Sequence, residues 1–274
     1  MSRACFSAVI AVLVFSLAGA LYGVPFDPAQ LQAKTATLKG RVTYEGTPPK
    51  PRDLGPQVKL QQDKPHCLKG LDAERDREWV VKDGNVANVA IWLRAPAGKH
   101  FEFTEQDKKS WPTEVKVDQP FCHFEPHVSV AFPRYFDSAT KKYVETGQQI
   151  KVLNSAPITH NVKWVGEVRK VPGGNYTVQA KGEVALPLAP DWTTPVRLNC
   201  GIHKWMEGYI WALETPYAAV TKEDGTYEIK GIPPDAELQL VVWHEAIGFV
   251  GGPAGEKITL KSGPNVKDYK IKAK

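Results

Sequence analysis

Methionine, cysteine and long apolar runs are scarce in this sequence, and each shortage narrows what the protein can be. The 274 residues include two methionines, Met1 and Met206, and four cysteines. After Leu21 no apolar run approaches the length needed to span a bilayer, so we expect a soluble mature chain without a membrane span. The formal net charge is +5, and basic and acidic residues are interspersed rather than grouped in blocks. This pattern excludes the basic stripe of a nucleic-acid-binding protein.

The first twenty residues have the pattern of a secretory signal peptide. Arg3 is followed by an apolar run from Ala4 to Leu17 and then by Ala18-Gly19-Ala20. A basic start, an apolar stretch and small residues before the cleavage point define such a signal. We therefore predict a signal peptide over residues 1–20 and a periplasmic or secreted protein. An uncleaved N-terminal anchor is the alternative, because the apolar stretch extends to Leu21.

Amphipathic helix patterns are also scarce, whereas short strand patterns recur between the glycines and prolines. Asp83-Gly84, between two β-rich runs, predicts a hairpin turn. The alternation of residues from Phe121 to Phe132 predicts a strand. Further β-rich runs are Gln149–Leu153, Thr194–Asn199 and Tyr209–Leu213. We predict an all-β fold built as a β-sandwich, with short helices in the polar loops over residues 99–113 and 165–190.

The most specific pattern follows Asn199. Cys200, His203 and Met206 are spaced as C-x-x-H-x-x-M in the stretch CGIHKWM. Composition alone does not explain why the one methionine besides the first residue ends this run. A thiolate, an imidazole and a thioether together suit copper. We therefore predict that this stretch binds one copper ion.

An earlier stretch adds a second imidazole to this set. Asn154 is followed, after five residues, by His160-Asn161-Val162. An N-x(5)-H-N-V segment that precedes C-x-x-H-x-x-M resembles the cupredoxins, the small blue-copper proteins, and the resemblance covers residues 115–214. The two-residue spacing between His203 and Met206 is similar to the amicyanin type of ligand loop.

This resemblance implies a Greek-key cupredoxin-like β-sandwich and a complete ligand set. His160, Cys200 and His203 would be the copper ligands, and Met206 would be the weak axial ligand. Such a trigonal set with a long axial thioether forms an electron-transfer site. Asn161 would tie the two ligand loops together, so that the geometry barely changes with the oxidation state of the metal.

Residues needed for other copper chemistry are missing or poorly placed. A dinuclear purple-copper centre needs a second cysteine in the ligand loop, and multicopper oxidases need H-x-H pairs; the sequence contains neither. His123 and His127 would lie on one side of a regular strand. Because Pro126 interrupts regular pairing there, we interpret both as part of an outward polar face. We interpret His244 as a hydrogen-bonded sheet histidine.

Removal of the signal peptide would leave three cysteines, Cys67, Cys122 and Cys200. An odd number in an oxidising compartment indicates one disulfide and one thiol with another role. Because the C-x-x-H-x-x-M pattern assigns Cys200 to the metal, we predict a Cys67–Cys122 disulfide. A bridge to Cys200 is the alternative, and it would leave His203 and Met206 unexplained.

The sequence pattern changes after residues 200–206, the predicted copper loop. Residues 217–240 include the form V-T-x-x-D-G-x-Y-x-I-x-x-I-P-P, which resembles the carboxypeptidase regulatory-like, or transthyretin-like, β-sandwich module. Leu38–Pro49 resembles the first strand of such a module, so one arrangement folds the two ends together around an inserted cupredoxin unit. We predict a cupredoxin-like domain with an N-terminal extension over residues 36–216 and a transthyretin-like segment over residues 217–274. An extra sheet that covers a cupredoxin edge is the alternative.

Three functions fit these patterns. The first is an exported electron carrier with one copper ion, whose redox partner, such as a small cytochrome, docks near His203 and Trp205; the imidazole of His203 would reach the surface as the electron exit. The second is copper storage, delivery or sensing at the cell envelope. The third is a structural or carbohydrate-contacting module that uses the loop tryptophans Trp111, Trp164 and Trp192. We expect no enzymatic activity, because the sequence shows no Ser-His-Asp spacing, phosphate loop or paired acid motif.

Overall fold

The structure is a computed structural model that describes residues 35–70, 72–167, 172–187, 189–191 and 193–274. The predicted signal peptide over residues 1–20 lies outside the described residues, as does Trp192. No helix in the described ranges is long and apolar enough to cross a membrane.

Strands dominate the described chain, which confirms the predicted all-β class. The helices are α1 (Gly55–Lys59), α2 (Lys64–Cys67) and α3 (Glu105–Ser110). The strands of the first half are β1 (Ala36–Tyr44), β2 (Val81–Lys82), β3 (Asn85–Val86), β4 (Ala90–Arg94), β5 (Glu114–Val117), β6 (Val128–Ala131), β7 (Arg134–Asp137), β8 (Lys142–Glu145), β9 (Gln149–Leu153) and β10 (His160–Val165). The remaining strands are β11 (Gly174–Val178), β12 (Glu183–Leu186), β13 (Val196–Asn199), β14 (Glu207–Ala212), β15 (Ala218–Val220), β16 (Thr226–Ile232), β17 (Glu237–His244), β18 (Gly248–Phe249), β19 (Glu256–Thr259), β20 (Gly263–Val266) and β21 (Tyr269–Ile271).

The middle of the chain forms a sandwich of two sheets. One sheet has the strand order β11-β10-β13-β14-β6, and the other has the order β12-β9-β5. Their inner faces meet in one apolar core, because alternate residues of a strand point to the same side. This core contains Val152 of β9, Val162 of β10, Leu198 of β13 and Ile210 of β14. Residues 200–206, the predicted copper loop, join the antiparallel strands β13 and β14 at one end of the sandwich, and Cys200 and Met206 belong to the same core.

The two ends of the described chain share sheets. β1 pairs antiparallel with β16 and parallel with β20 and β21. β4 pairs antiparallel with both β15 and β17. This pairing agrees with the arrangement in which the N-terminal and C-terminal strands fold together around a middle unit. The domain boundary at residue 216 itself stays a prediction.

The sandwich of middle strands is called the middle unit, and the sheets built from the two ends of the chain are called the end unit. Three tryptophans pack between these two units. The rings of Trp92 on β4 and Trp211 on β14 lie 4.7 Å apart, and those of Trp211 and Trp243 on β17 lie 5.5 Å apart. All three are buried in a separate apolar cluster. Aromatic rings at such separations pack favourably, so this cluster fixes how the two units contact each other.

Several local predictions are confirmed. Asp83 and Gly84 both have positive φ values, 51° and 76°, in the turn that joins β2 to β3. Two such residues match the twist of a tight antiparallel hairpin. The loop over residues 99–113 contains α3, as expected, whereas the described part of 165–190 contains the strands β11 and β12 instead of helices.

The strand predicted from Phe121 to Phe132 is wrong over its first half. Only Val128–Ala131 forms a strand. Cys122 has a φ of 58°, which is incompatible with extended backbone, and its sulfur is bonded to that of Cys67. Residues 121–127 therefore form an irregular segment, which the alternation of residues does not reveal.

Candidate metal centre

The predicted ligands lie where two neighbouring strands meet the predicted copper loop. His160 is the first residue of β10, and Cys200 directly follows β13. β10 and β13 pair antiparallel, with Lys163 opposite Asn199. This register places the start of β10 beside the turn that begins at Cys200. His160 and Cys200, which are 40 positions apart in sequence, therefore lie next to each other.

Three donor atoms converge there. The Nδ1 atoms of His160 and His203 lie 3.0 Å apart, and the Sγ atom of Cys200 lies 3.9 Å from the first and 4.0 Å from the second. All three side chains are buried. Imidazole nitrogens and thiolates bind metal ions such as zinc at about 2.0–2.3 Å. The observed separations therefore fit donors that share one ion.

Met206 is buried in the same core, at the end of the loop. Its backbone N–H donates to the carbonyl oxygen of His203 at 2.9 Å, which closes a tight turn between these two predicted ligands. The side chain is fully buried and belongs to the core cluster that contains Cys200. The thioether of Met206 therefore lies in the same apolar core as Cys200.

Asn161 connects β10 to the predicted copper loop, as the resemblance implies. Its Oδ1 atom accepts hydrogen bonds from the backbone N–H groups of Gly201 at 2.7 Å and Ile202 at 3.3 Å. The thiol of Cys200 also donates to this oxygen, at 3.3 Å. The N–H of His203 donates to the sulfur of Cys200 at 3.4 Å. These bonds fix the loop independently of any ion.

Burial keeps both imidazoles neutral. Burial, with the neighbouring His203 as a smaller cause, lowers the pKa of His160 to about 3. Burial also lowers the pKa of His203, although Asp63 opposes this effect. A neutral imidazole has a free lone pair on one nitrogen, and that form binds metal ions.

The structure corrects the predicted exposure of His203, whose exposed fraction is 0%. The Nε2 atom of its ring lies 3.2 Å from Oδ2 of Asp63, the residue that directly precedes α2. Cys67 at the end of α2 forms the predicted disulfide with Cys122, and Cys200 is free. The N-terminal extension therefore covers the side of His203 that was expected to reach solvent.

The sequence patterns do not point to Asp63. One aspartate in a polar loop carries no local pattern that points to a metal ligand. The predicted disulfide gives a partial indication of where Asp63 lies, because Asp63 is four positions before Cys67. Nothing in the sequence, however, placed Cys122 next to the copper loop. Trp205 makes that connection in the structure: it is buried, and its Nε1–H donates to the carbonyl oxygen of Cys122 at 3.1 Å.

The outward polar face predicted for His123 and His127 is wrong, because both are buried. The Nε2 atom of His127 pairs with the carboxylate of Glu245, and Nδ1 of His123 donates to the carbonyl oxygen of Phe121 at 3.1 Å. His244 is a hydrogen-bonded sheet histidine, as predicted: its Nδ1 accepts from the N–H of Ala246 at 3.3 Å. None of these three rings is among the three converging donors.

The tryptophans proposed as sugar contacts do not form a platform in the described residues. Trp164 is buried, and its Nε1–H donates to the carbonyl oxygen of Pro172 at 3.0 Å. Trp111 packs against the rings of Phe103 and Phe132. Trp192 lies outside the described residues. Two of the three candidates are therefore packing residues.

Comparisons with known proteins give structural neighbours only. No protein-family model and no curated protein matches the chain. Among solved structures, a methionine-to-alanine mutant of amicyanin in the Cu(I) form has 13% sequence identity and a TM-score of 0.28; it covers 44% of this chain and 97% of its own. A tryptophan-to-tyrosine mutant of reduced amicyanin has 14% identity and the same TM-score and coverage. A purple cupredoxin from Nitrosopumilus maritimus has 10% identity and a TM-score of 0.26, and covers 36% of this chain and 98% of its own.

Proposed function

We propose that this protein binds one copper ion through His160, Cys200 and His203, with Met206 as a weak axial ligand, and that it carries single electrons. The observation that supports this most directly is the convergence of three buried donor atoms within 4.8 Å of one another. Two imidazoles, a thiolate and a thioether are the donor set of a blue-copper site. Copper held by such a set supplies one electron reversibly.

Other residues fix the positions of the donor side chains. Asn161 fixes the start of the copper loop through two backbone N–H groups, and the N–H of His203 holds the sulfur of Cys200. Both imidazoles are neutral because they are buried. Ligands that are already in place need to move little when the metal changes oxidation state, which favours electron transfer.

The cover over His203 favours an electron carrier over a protein for copper storage, delivery or sensing. Ligand exchange with a copper acceptor requires an open side on the metal centre. Here Asp63 lies against the outer nitrogen of His203, and the Cys67–Cys122 disulfide ties the covering segment to the site. An electron can cross such a cover, whereas a metal ion would have to displace it.

We further propose that the protein is exported to the periplasm or beyond and exchanges electrons with a partner such as a small cytochrome. A disulfide is typical of an oxidising compartment. His203 and Trp205 are both buried, so a partner that docks near them would contact their exposed neighbours Ile202 and Lys204.

The wider assignment is also a proposal. We place the middle unit with the cupredoxins, on the ligand pattern and its geometry. We regard the strands around it as a transthyretin-like β-sandwich, on the sequence pattern of residues 217–240 and the pairing of β1 with β16.

Electrochemistry of the copper-loaded protein tests the carrier function. We expect a reversible one-electron response, with copper retained over repeated cycles in the presence of a Cu(I) chelator. Loss of copper to the chelator each time the site is reduced would instead support delivery.

A further inference from the structure

The ring of His203 lies between two sets of polar atoms. On one side its Nδ1 faces the Nδ1 of His160 at 3.0 Å, and on the other its Nε2 faces Oδ2 of Asp63 at 3.2 Å. A carboxylate oxygen can only accept a hydrogen bond, so Nε2 carries the proton. The lone pair of the ring is then on Nδ1, on the side of His160 and Cys200. Asp63 thereby selects the form of His203 that can bind a metal ion at this point.

His160 has no comparable partner. Its Nε2 atom is buried and makes no hydrogen bond within the described chain. The two imidazoles of the site therefore differ: a carboxylate orients His203 from its outer nitrogen, and the outer nitrogen of His160 has no such partner. A change at Asp63 should act on the metal centre through His203.

Asp63 itself is held in place by several contacts. Its carbonyl oxygen accepts hydrogen bonds from the N–H groups of His66 at 2.9 Å and Cys67 at 3.1 Å. The ring of His66 bonds to the carbonyl oxygen of Pro120 at 2.8 Å, and Cys67 is joined to Cys122. The carboxylate is therefore presented to His203 from a fixed backbone, which is how an orienting partner of a metal ligand is usually built.

We propose that Asp63 is a positioning residue of the metal centre. It fixes the orientation and the proton position of His203, strengthens this imidazole as an electron donor to the metal, and closes the outer side of the site. This role rests on the proposed copper function. Through Asp63, the N-terminal extension would influence metal affinity and reduction potential in addition to the four proposed ligands.

Three variants of the full chain test this role. Asp63→Ala removes the acceptor, Asp63→Asn keeps an acceptor oxygen without the charge, and Asp72→Asn removes one charge from the same segment without contact to the site. Asp72 is exposed and pairs with Arg75 at 3.5 Å. Zn²⁺ and Cu²⁺ affinity are measured by competition with a chelator, and the reduction potential is measured on the copper-loaded forms.

We expect Asp63→Ala to lower both metal affinities about 10–100-fold, the usual cost of losing such a partner. Its reduction potential should rise, because a weaker donor favours Cu(I). Asp63→Asn should recover part of the loss, and Asp72→Asn should match the wild type. Mapping of the Cys67–Cys122 bridge in each variant checks that the segment is folded.

Two results separate the possible failures. If Asp63→Ala keeps wild-type zinc affinity and an unchanged potential, Asp63 does not position His203, while the copper function stands. If the wild type binds copper without colour, the blue-copper function fails. The zinc measurement still decides the role of Asp63 in that case, because it requires no colour.

Discussion

Cys67 and Cys122 form a disulfide across 55 positions of sequence, and both sulfur atoms lie within 4.8 Å of a ring nitrogen of His203. The bond thus attaches the segment of α2 directly beside the candidate metal centre.

The double substitution Cys67→Ser with Cys122→Ser should lower the free energy of unfolding of the apo-protein by about 2–4 kcal/mol, since the unfolded chain is no longer constrained. Denaturant titration measures this loss. Thiol counting on the unfolded, unreduced protein checks the starting point: one free cysteine is expected among Cys67, Cys122 and Cys200, and three would refute the pairing.

A second prediction concerns the hydrogen bonds of Asn161. Asn161→Ala removes the acceptor of the N–H groups of Gly201 and Ile202, and a typical hydrogen bond contributes about 1 kcal/mol. The variant should unfold at lower denaturant concentration, and its Cu(II) should give broader electron paramagnetic resonance lines, because the loop is less fixed.

Asn175→Ala is the matched control. It removes only the partner of the Nδ2 group of Asn161, at 2.6 Å, and leaves the loop contacts intact. Equal effects of the two variants would mean that Asn161 supports β10 rather than the copper loop.

A third prediction concerns stability against pH. Burial, with His127 as a smaller cause, lowers the pKa of His244 to about 4. The unfolded chain, with an ordinary pKa of about 6.5, then binds more protons than the folded chain between these values. Stability should therefore fall as pH falls through this window, by up to about 1.4 kcal/mol per pH unit for this group.

His244→Phe keeps an aromatic ring against Trp79, whose ring stacks on His244 at 4.1 Å. The difference in unfolding free energy between pH 7 and pH 5 should be smaller in this variant than in the wild type. An unchanged difference would show that other groups cause the acid sensitivity.

Much of the candidate site could be predicted from the sequence, because its pattern is local. Cys200, His203 and Met206 lie within seven residues, and the strands that flank them are short β-rich runs. The disulfide followed from counting cysteines. Each of these inferences uses residues that are close together in the chain or few in number.

What could not be predicted depends on contacts between distant segments. His203 is buried and contacts Asp63, which lies 140 positions away in sequence. His127 is also buried, and it pairs with Glu245, which lies 118 positions away. No sequence pattern near either histidine indicates these contacts, so the sequence alone predicts an exposed side chain for both.

The fourth prediction concerns Met206. A distant axial thioether contributes little to binding but shifts the balance between the two oxidation states. Met206→Leu should keep copper and its colour while raising the reduction potential, because Cu(II) loses more than Cu(I). Voltammetry of the two proteins measures the shift. An unchanged potential would show that Met206 only fills the core.

The central claim is that the thiolate of Cys200 and the two imidazoles bind one copper ion. The visible absorption spectrum during Cu(II) titration tests it most directly, with Cys200→Ser as the matched variant. We predict an intense charge-transfer band that saturates at one copper ion per chain and is absent from Cys200→Ser. A wild-type protein that takes up copper and stays colourless, or a band that survives in Cys200→Ser, would contradict the account.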